Sequence, residues 1–190
     1  MLVESGFTRA TASDGAQWTF TPSFARIAGL GSPHEIVALY AALHGANAAP
    51  DATYVLACLC DQEDATPLIG WPEPGEAPEA PLRWRSGAMP PAEQIIIARH
   101  LMQHGICGKA RPDAGAEAGK FSDRFDAAEY VSAARVHLGL SSADAEALSM
   151  TEFQTMLAMK FPQAGEKRRD VPSRAEYDAA MARVKGERGG

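Results

Sequence analysis

The residues with the clearest chemical potential are His100, His104, Cys107, Cys58 and Cys60. His100 and His104 are four positions apart, so a helix places both imidazoles on one face, where two nitrogens can share a metal ion. Cys107 follows three positions later, and the Cys58-x-Cys60 pair could complete a ligand set. Two features argue against this reading. Leu101 follows His100, so the general base of an HExxH motif is missing, and a CxC pair lacks the spacing of common zinc knuckles. The alternative is that the cysteines act as small apolar side chains and the histidines border a helix C-terminus, where imidazolium meets the favourable end of the helix dipole. The expected assignment is therefore no metal and no cofactor.

Other reactive constellations are missing. No GxSxG elbow, phosphate-binding glycine loop ending in Gly-Lys-Ser/Thr, or GxGxxG run is found. Asp61, Glu63 and Asp64 sit at an expected helix end, where a solvated charged turn is commoner than tuned acid/base chemistry. The sequence therefore points to a non-enzymatic protein. Its 24 acidic and 18 basic residues give a net charge of −6, which disfavours nucleic acid and anionic membrane as partners. The start, Met1 to Gly6, lacks the basic and apolar regions of a signal peptide, and no apolar run reaches spanning length. Three cysteines, an odd number, fit free thiols in a cytoplasm better than a disulfide framework.

The elements that would position these residues can be read from caps and periodicity. Val3 to Thr8 and Gln17 to Thr21 read as strands joined through Asp14-Gly15, a small N-terminal β-hairpin. Pro22 opens a short helix from Ser23 to Ala28, which Gly29 stops. Ser32-Pro33-His34-Glu35 has capping-box spacing and starts a helix carrying Ile36, Leu39, Tyr40 and Leu43 up to Gly45. A further helix runs from Asp51 to Cys60. The proline-acid alternation from Pro72 to Pro81, bracketed by Trp71 and Trp84, reads as an extended loop. Pro90-Pro91-Ala92-Glu93 then begins a helix ending at Gly105, in which Ile95, Ile96 and Ile97 imply burial on most sides.

A flexible linker over residues 110–124 separates an N-terminal part, 1–109, from a C-terminal helical unit, 125–162. In that unit Asp126 caps a helix with the seam Ala127, Val131, Ala134 and Leu138, closed by Gly139. Ser141 or Ser142 restarts a short helix, and Ser149 with Glu152 forms another capping box before Phe153, Met156 and Leu157, with Pro162 as the stop. Residues 163–190 read as a mobile tail containing the basic run Lys167-Arg168-Arg169 and a short helix from Ser173. The fold class is mainly α with a minor β-hairpin. Tyr130, Val131, Leu138, Phe153, Met156 and Leu157 are the candidate partner-binding residues, because a helical seam with adaptable methionines can cover the apolar helix of another protein.

Three stretches resemble an uncharacterised family of tailed-phage proteins: Trp18 to Phe24 with Gly31 to Val37, Met89 to Leu101, and His137 to Ser141 with Thr151 to Phe153 and Lys160 to Pro162. The last is similar to the helical part of phage tail assembly chaperones. The resemblance implies a protein that coats the tape-measure protein in the bacterial host cytoplasm, recruits tail tube subunits, and leaves before the tail is complete. A homo-oligomer is compatible with such a role. The N-terminal hairpin departs from the all-helical pattern of these chaperones and leaves a minor virion structural or completion protein as the alternative, with a small His/Cys metal-binding protein as the other. No catalytic residue is carried over.

Overall fold

A computed structural model describes residues 6–74, 82–108, 122–162 and Arg174. It is mainly helical with two small antiparallel strand pairs, the fold class expected. The described residues up to Lys160 form one compact unit, and the expected tail, residues 163–190, lies outside the described residues apart from Arg174. The expected linker also falls largely outside them.

The N-terminal hairpin pairs β1, Thr8–Thr11, with β2, Gln17–Phe20, in a register that sets Thr8 opposite Phe20. The first strand therefore begins where the sequence reading ended it. The turn fixes this: Asp14 Oδ1 accepts from the Ala16 amide at 2.9 Å, and Gly15 adopts φ +88°. Trp18 and Phe20 alternate inward from β2, and Phe20 forms an antiparallel bridge with Cys60. Two backbone bonds, Thr21 N–H to Leu59 O at 3.0 Å and Asp61 N–H to Thr19 O at 2.8 Å, hold the hairpin on the following helices.

Helix α1, Phe24–Ala28, is capped by Ser23, and α2, Pro33–Ala42, by Ser32 with the reciprocal Glu35 bond of a full capping box. Helix α3, Ala49–Leu59, starts two residues earlier than the sequence suggested because Pro50 occupies its first turn. It buries Ala52, Val55, Leu56 and Leu59, at the spacing of one helical face, and packs closely on α5, Pro91–Met102.

Three sequence expectations in this part of the chain are corrected. First, α5 buries its isoleucines only in part: Gln94, Ala98, Leu101 and Met102 face the core, Ile95 and Ile97 are half-buried against it, and Ile96 is 65% exposed. The buried amide explains the rotation of the helix, since Gln94 Nε2 donates to Ile69 O at 3.0 Å and Met89 O at 2.9 Å, and its Oε1 accepts from Thr53 Oγ1 at 2.8 Å. Second, Gly105 does not stop the helix. The chain continues as a π-helical turn, Gln103–Cys107, in which Gly105 is buried. Third, Trp71 and Trp84 do not bracket a featureless loop. After a short helix α4, Thr66–Ile69, strand β3, Trp71–Glu73, pairs with β4, Arg83–Arg85. Pro72 is tolerated because a two-stranded ribbon leaves one side of each strand without a ladder partner. Arg85 closes the ribbon through Glu73 at 2.9 Å and lies over the Trp71 ring at 5.0 Å.

Helix α6, Ala127–Ala133, is capped by Asp126 and passes into a second π-helical turn, Ala134–Leu138, that ends at Gly139 in the left-handed conformation. Helix α7, Ser142–Ala147, has Ser141 as its cap. Helix α8, Met150–Lys160, begins at the expected Ser149–Glu152 capping box. These helices pack against α1 and both π-helical turns, so the two helical parts share one core.

Candidate interaction surface

Phe24 of α1 is the hinge pin of that shared core. Its ring stacks on Tyr130 at 5.8 Å between centroids and meets Phe153 edge-on at 6.0 Å, while Tyr130 stacks on Phe125 at 5.1 Å. Offset and edge contacts of this kind add specificity to apolar burial. Burial raises the Tyr130 hydroxyl above its ordinary pKa, with the Glu129 charge adding to the effect.

Two of the six partner-binding candidates, Tyr130 and Phe153, thus belong to an internal aromatic cluster. Val131, Leu138 and Leu157 are half-buried against the same core. Met156 alone of the six is exposed. The outward apolar surface is completed by Met159, 79% exposed, and Val136, 77% exposed, on the π-helical turn that packs against α8. Val136 was missed from sequence. The available signal was its position, two residues from both Ala134 and Leu138, which turns it away from the seam.

His104 and Cys107 belong to the first π-helical turn, and His100 to the last turn of α5 just before it. The His100 and His104 rings lie 4.5 Å apart, and His104 Nδ1 is 2.8 Å from Thr151 Oγ1 on α8. Tyr40 donates to Gln103 Oε1 at 2.6 Å, and Gln154 Nε2 donates to the Cys107 carbonyl at 3.0 Å. Tyr40, Thr151 and Gln154 thus engage polar groups of the irregular turn, a structural use for Gln103, His104 and the Cys107 carbonyl. Although Cys107 is an exposed residue, packing takes water from its sulfur and pushes the thiol pKa up, partly offset by a hydrogen bond with Tyr40.

Cys58 and Cys60 serve elsewhere, at the end of α3. Cys60 is buried beside the hairpin, its thiol raised first by burial, and its carbonyl accepts from the Arg26 guanidinium. Among the described residues, no three His, Cys, Asp or Glu side chains are grouped so as to hold a metal ion. Two of the three acids at this helix end have partners too. Asp61 pairs with Arg26 at 3.2 Å, and Asp64 caps Thr66, which lowers the Asp64 pKa.

The fold and surface define a mainly helical protein in which Val136 on the second π-helical turn and Met156 and Met159 on α8 are exposed, as are Tyr54, Leu82, Trp84 and Ile96 elsewhere. The chain belongs to DUF6246, a family of unknown function, whose model matches residues 45–179. That match begins after α2, so the hairpin, α1 and α2 precede it. No curated protein and no solved structure matches the chain. Among the described residues, no helix is long and apolar enough to cross a membrane.

Proposed function

We propose that this chain is a non-enzymatic phage tail assembly chaperone that binds the tape-measure protein and tail tube subunits in the bacterial host cytoplasm. The observation carrying the reading is the outward set of Val136, Met156 and Met159 on a tightly capped helical scaffold. Unbranched methionines adapt their shape to different apolar partners, and a rigid base lowers the entropy cost of presenting them. Resemblance of the Lys160-Phe161-Pro162 region and its preceding helices to tail assembly chaperones supplies the named partners.

Co-expression with the tape-measure protein of the same phage tests this reading. A soluble complex is expected, lost when Met156 and Met159 are both replaced by serine, and the protein should be absent from finished particles. An insoluble tape-measure protein with no complex formed removes the reading. Retention of the protein in purified virions identifies it as a structural or completion component instead.

A further inference from the structure

A second surface lies away from α8, between α2 and α3. There the two helices bound an open hollow of about 600 Å³ whose walls include Glu35, Ala38, Leu39, Ala42, Asp51 and Tyr54. Ala38 and Ala42 are one helical turn apart and keep the α2 side of the floor low. Tyr54 is 46% exposed, yet its hydroxyl donates to Leu30 O at 3.0 Å, so the ring is a fixed wall. Glu35 is held ionised by Ser32, whose amide donates to Oε2 at 2.8 Å, and its charge bears on the Tyr54 hydroxyl. The lining thus combines an aromatic face and apolar floor with two carboxylates, and among the described residues no lysine, arginine or histidine lines it.

We propose that this hollow is a docking site for an arginine or lysine side chain presented by a second protein. Such a side chain has both of the required parts. Its aliphatic stem lies along Leu39 and the alanines, and its charged head meets the Tyr54 face and the carboxylates of Glu35 and Asp51. A neutral apolar residue would fill the floor but bring no cation to the two carboxylates, of which Glu35 is held only by Ser32, and an acidic one would be repelled. The site is independent of the α8 surface, so either can fail without the other.

The test is a nuclear magnetic resonance titration of the isotope-labelled full chain with acetyl-Ala-Arg-Ala-amide and its citrulline counterpart. Saturable shifts at Ala38, Ala42, Asp51 and Tyr54 are expected with the arginine peptide, with at least five-fold weaker binding of the citrulline peptide. Asp51→Asn should weaken binding several-fold, and Ala42→Leu should block it by filling the floor, while resonances of the Phe24 aromatic cluster stay in place to report an intact fold. Shifts elsewhere, equal binding of citrulline, or indifference to both substitutions overturns the proposal. Spermidine binding as tightly as the peptide also overturns it, by assigning the hollow to small cations.

Discussion

The turns Gln103–Cys107 and Ala134–Leu138 share a π-helical winding, follow an α-helix, and end at a glycine with φ +75°, yet the chain surrounds them differently. The first is enclosed. A Cβ on Gly105 would lie 2.6 Å from Ile27 Cδ1, one on Gly108 would overlap the Gln154 amide, and Tyr40, Thr151 and Gln154 bond to its polar groups. The second exposes Arg135, Val136 and His137, and nothing lies within 4 Å of a Cβ built on Gly139. Helix α8 touches both. The same backbone irregularity thus serves at one place to let helices approach and at the other to hold an apolar side chain outward. The winding alone does not mark a site; its surroundings decide its use.

The largest test of this division is at α8 itself. Phe153→Ala removes a buried ring that touches Phe24 and Tyr130, and should cost about 3–5 kcal/mol in chemical denaturation, the range for emptying an aromatic core position. A cost under about 1 kcal/mol, the level of a mild surface change, would mean that the aromatic cluster does not join the two helical parts.

Gly105→Ala comes next, with an expected loss of about 1–3 kcal/mol from overpacking against Ile27. Ile27→Val in the same chain should recover part of it, and a double-mutant cycle reads that coupling directly. Additive effects would show that the close approach of α1 to this turn is not what makes glycine necessary.

Alkaline lability should follow from the buried hydroxyl and thiols. The pKa values of Tyr130, Cys60 and Cys107 are all raised in the fold, so the folded state retains protons that the unfolded chain has released. Their stabilising contribution is complete below the unfolded thiol range and is lost as pH rises through it toward the folded values. Denaturation midpoints measured from neutral to about pH 10 should therefore fall, starting near the ordinary thiol pKa of about 8.5. A flat profile would show that these groups are as hydrated in the fold as outside it.

The difference between the turns also explains what could be read in advance. Local chemistry was legible: Ser32 with Glu35, Asp126, Ser149 with Glu152, and Gly139 each occupy the cap positions their side chains or φ angles favour. The seam Ala127, Val131, Ala134 and Leu138 likewise faces the core. Long-range choices were not. Nothing near Gln94 in sequence announces Ile69 O and Thr53 as its partners, and those bonds turn Ile96 outward despite its apolar neighbours. Gly105 reads locally as a stop, and only the arrival of Ile27 makes it a contact. The candidate surface divided in the same way, because periodicity finds the buried side of α8 but does not separate Phe153, which packs inward, from Met156, which does not.

Gly139→Ala should cost about 1 kcal/mol, since the left-handed conformation strains an L side chain and no neighbour adds to the penalty. Its effect should be additive with Phe153→Ala, in contrast with the coupling at Gly105.

Val136→Ser is expected to be the least disruptive change, within about 0.5 kcal/mol of the original stability, because the side chain is already in water. Its value lies in separating architecture from recognition. If the outward apolar set binds the tape-measure protein, serine at 136 should weaken the complex while the denaturation midpoint stays in place, and adding Met159→Ser should weaken it further. An unchanged complex would confine recognition to another face. A lower midpoint would instead show that the second turn, like the first, is part of the packing.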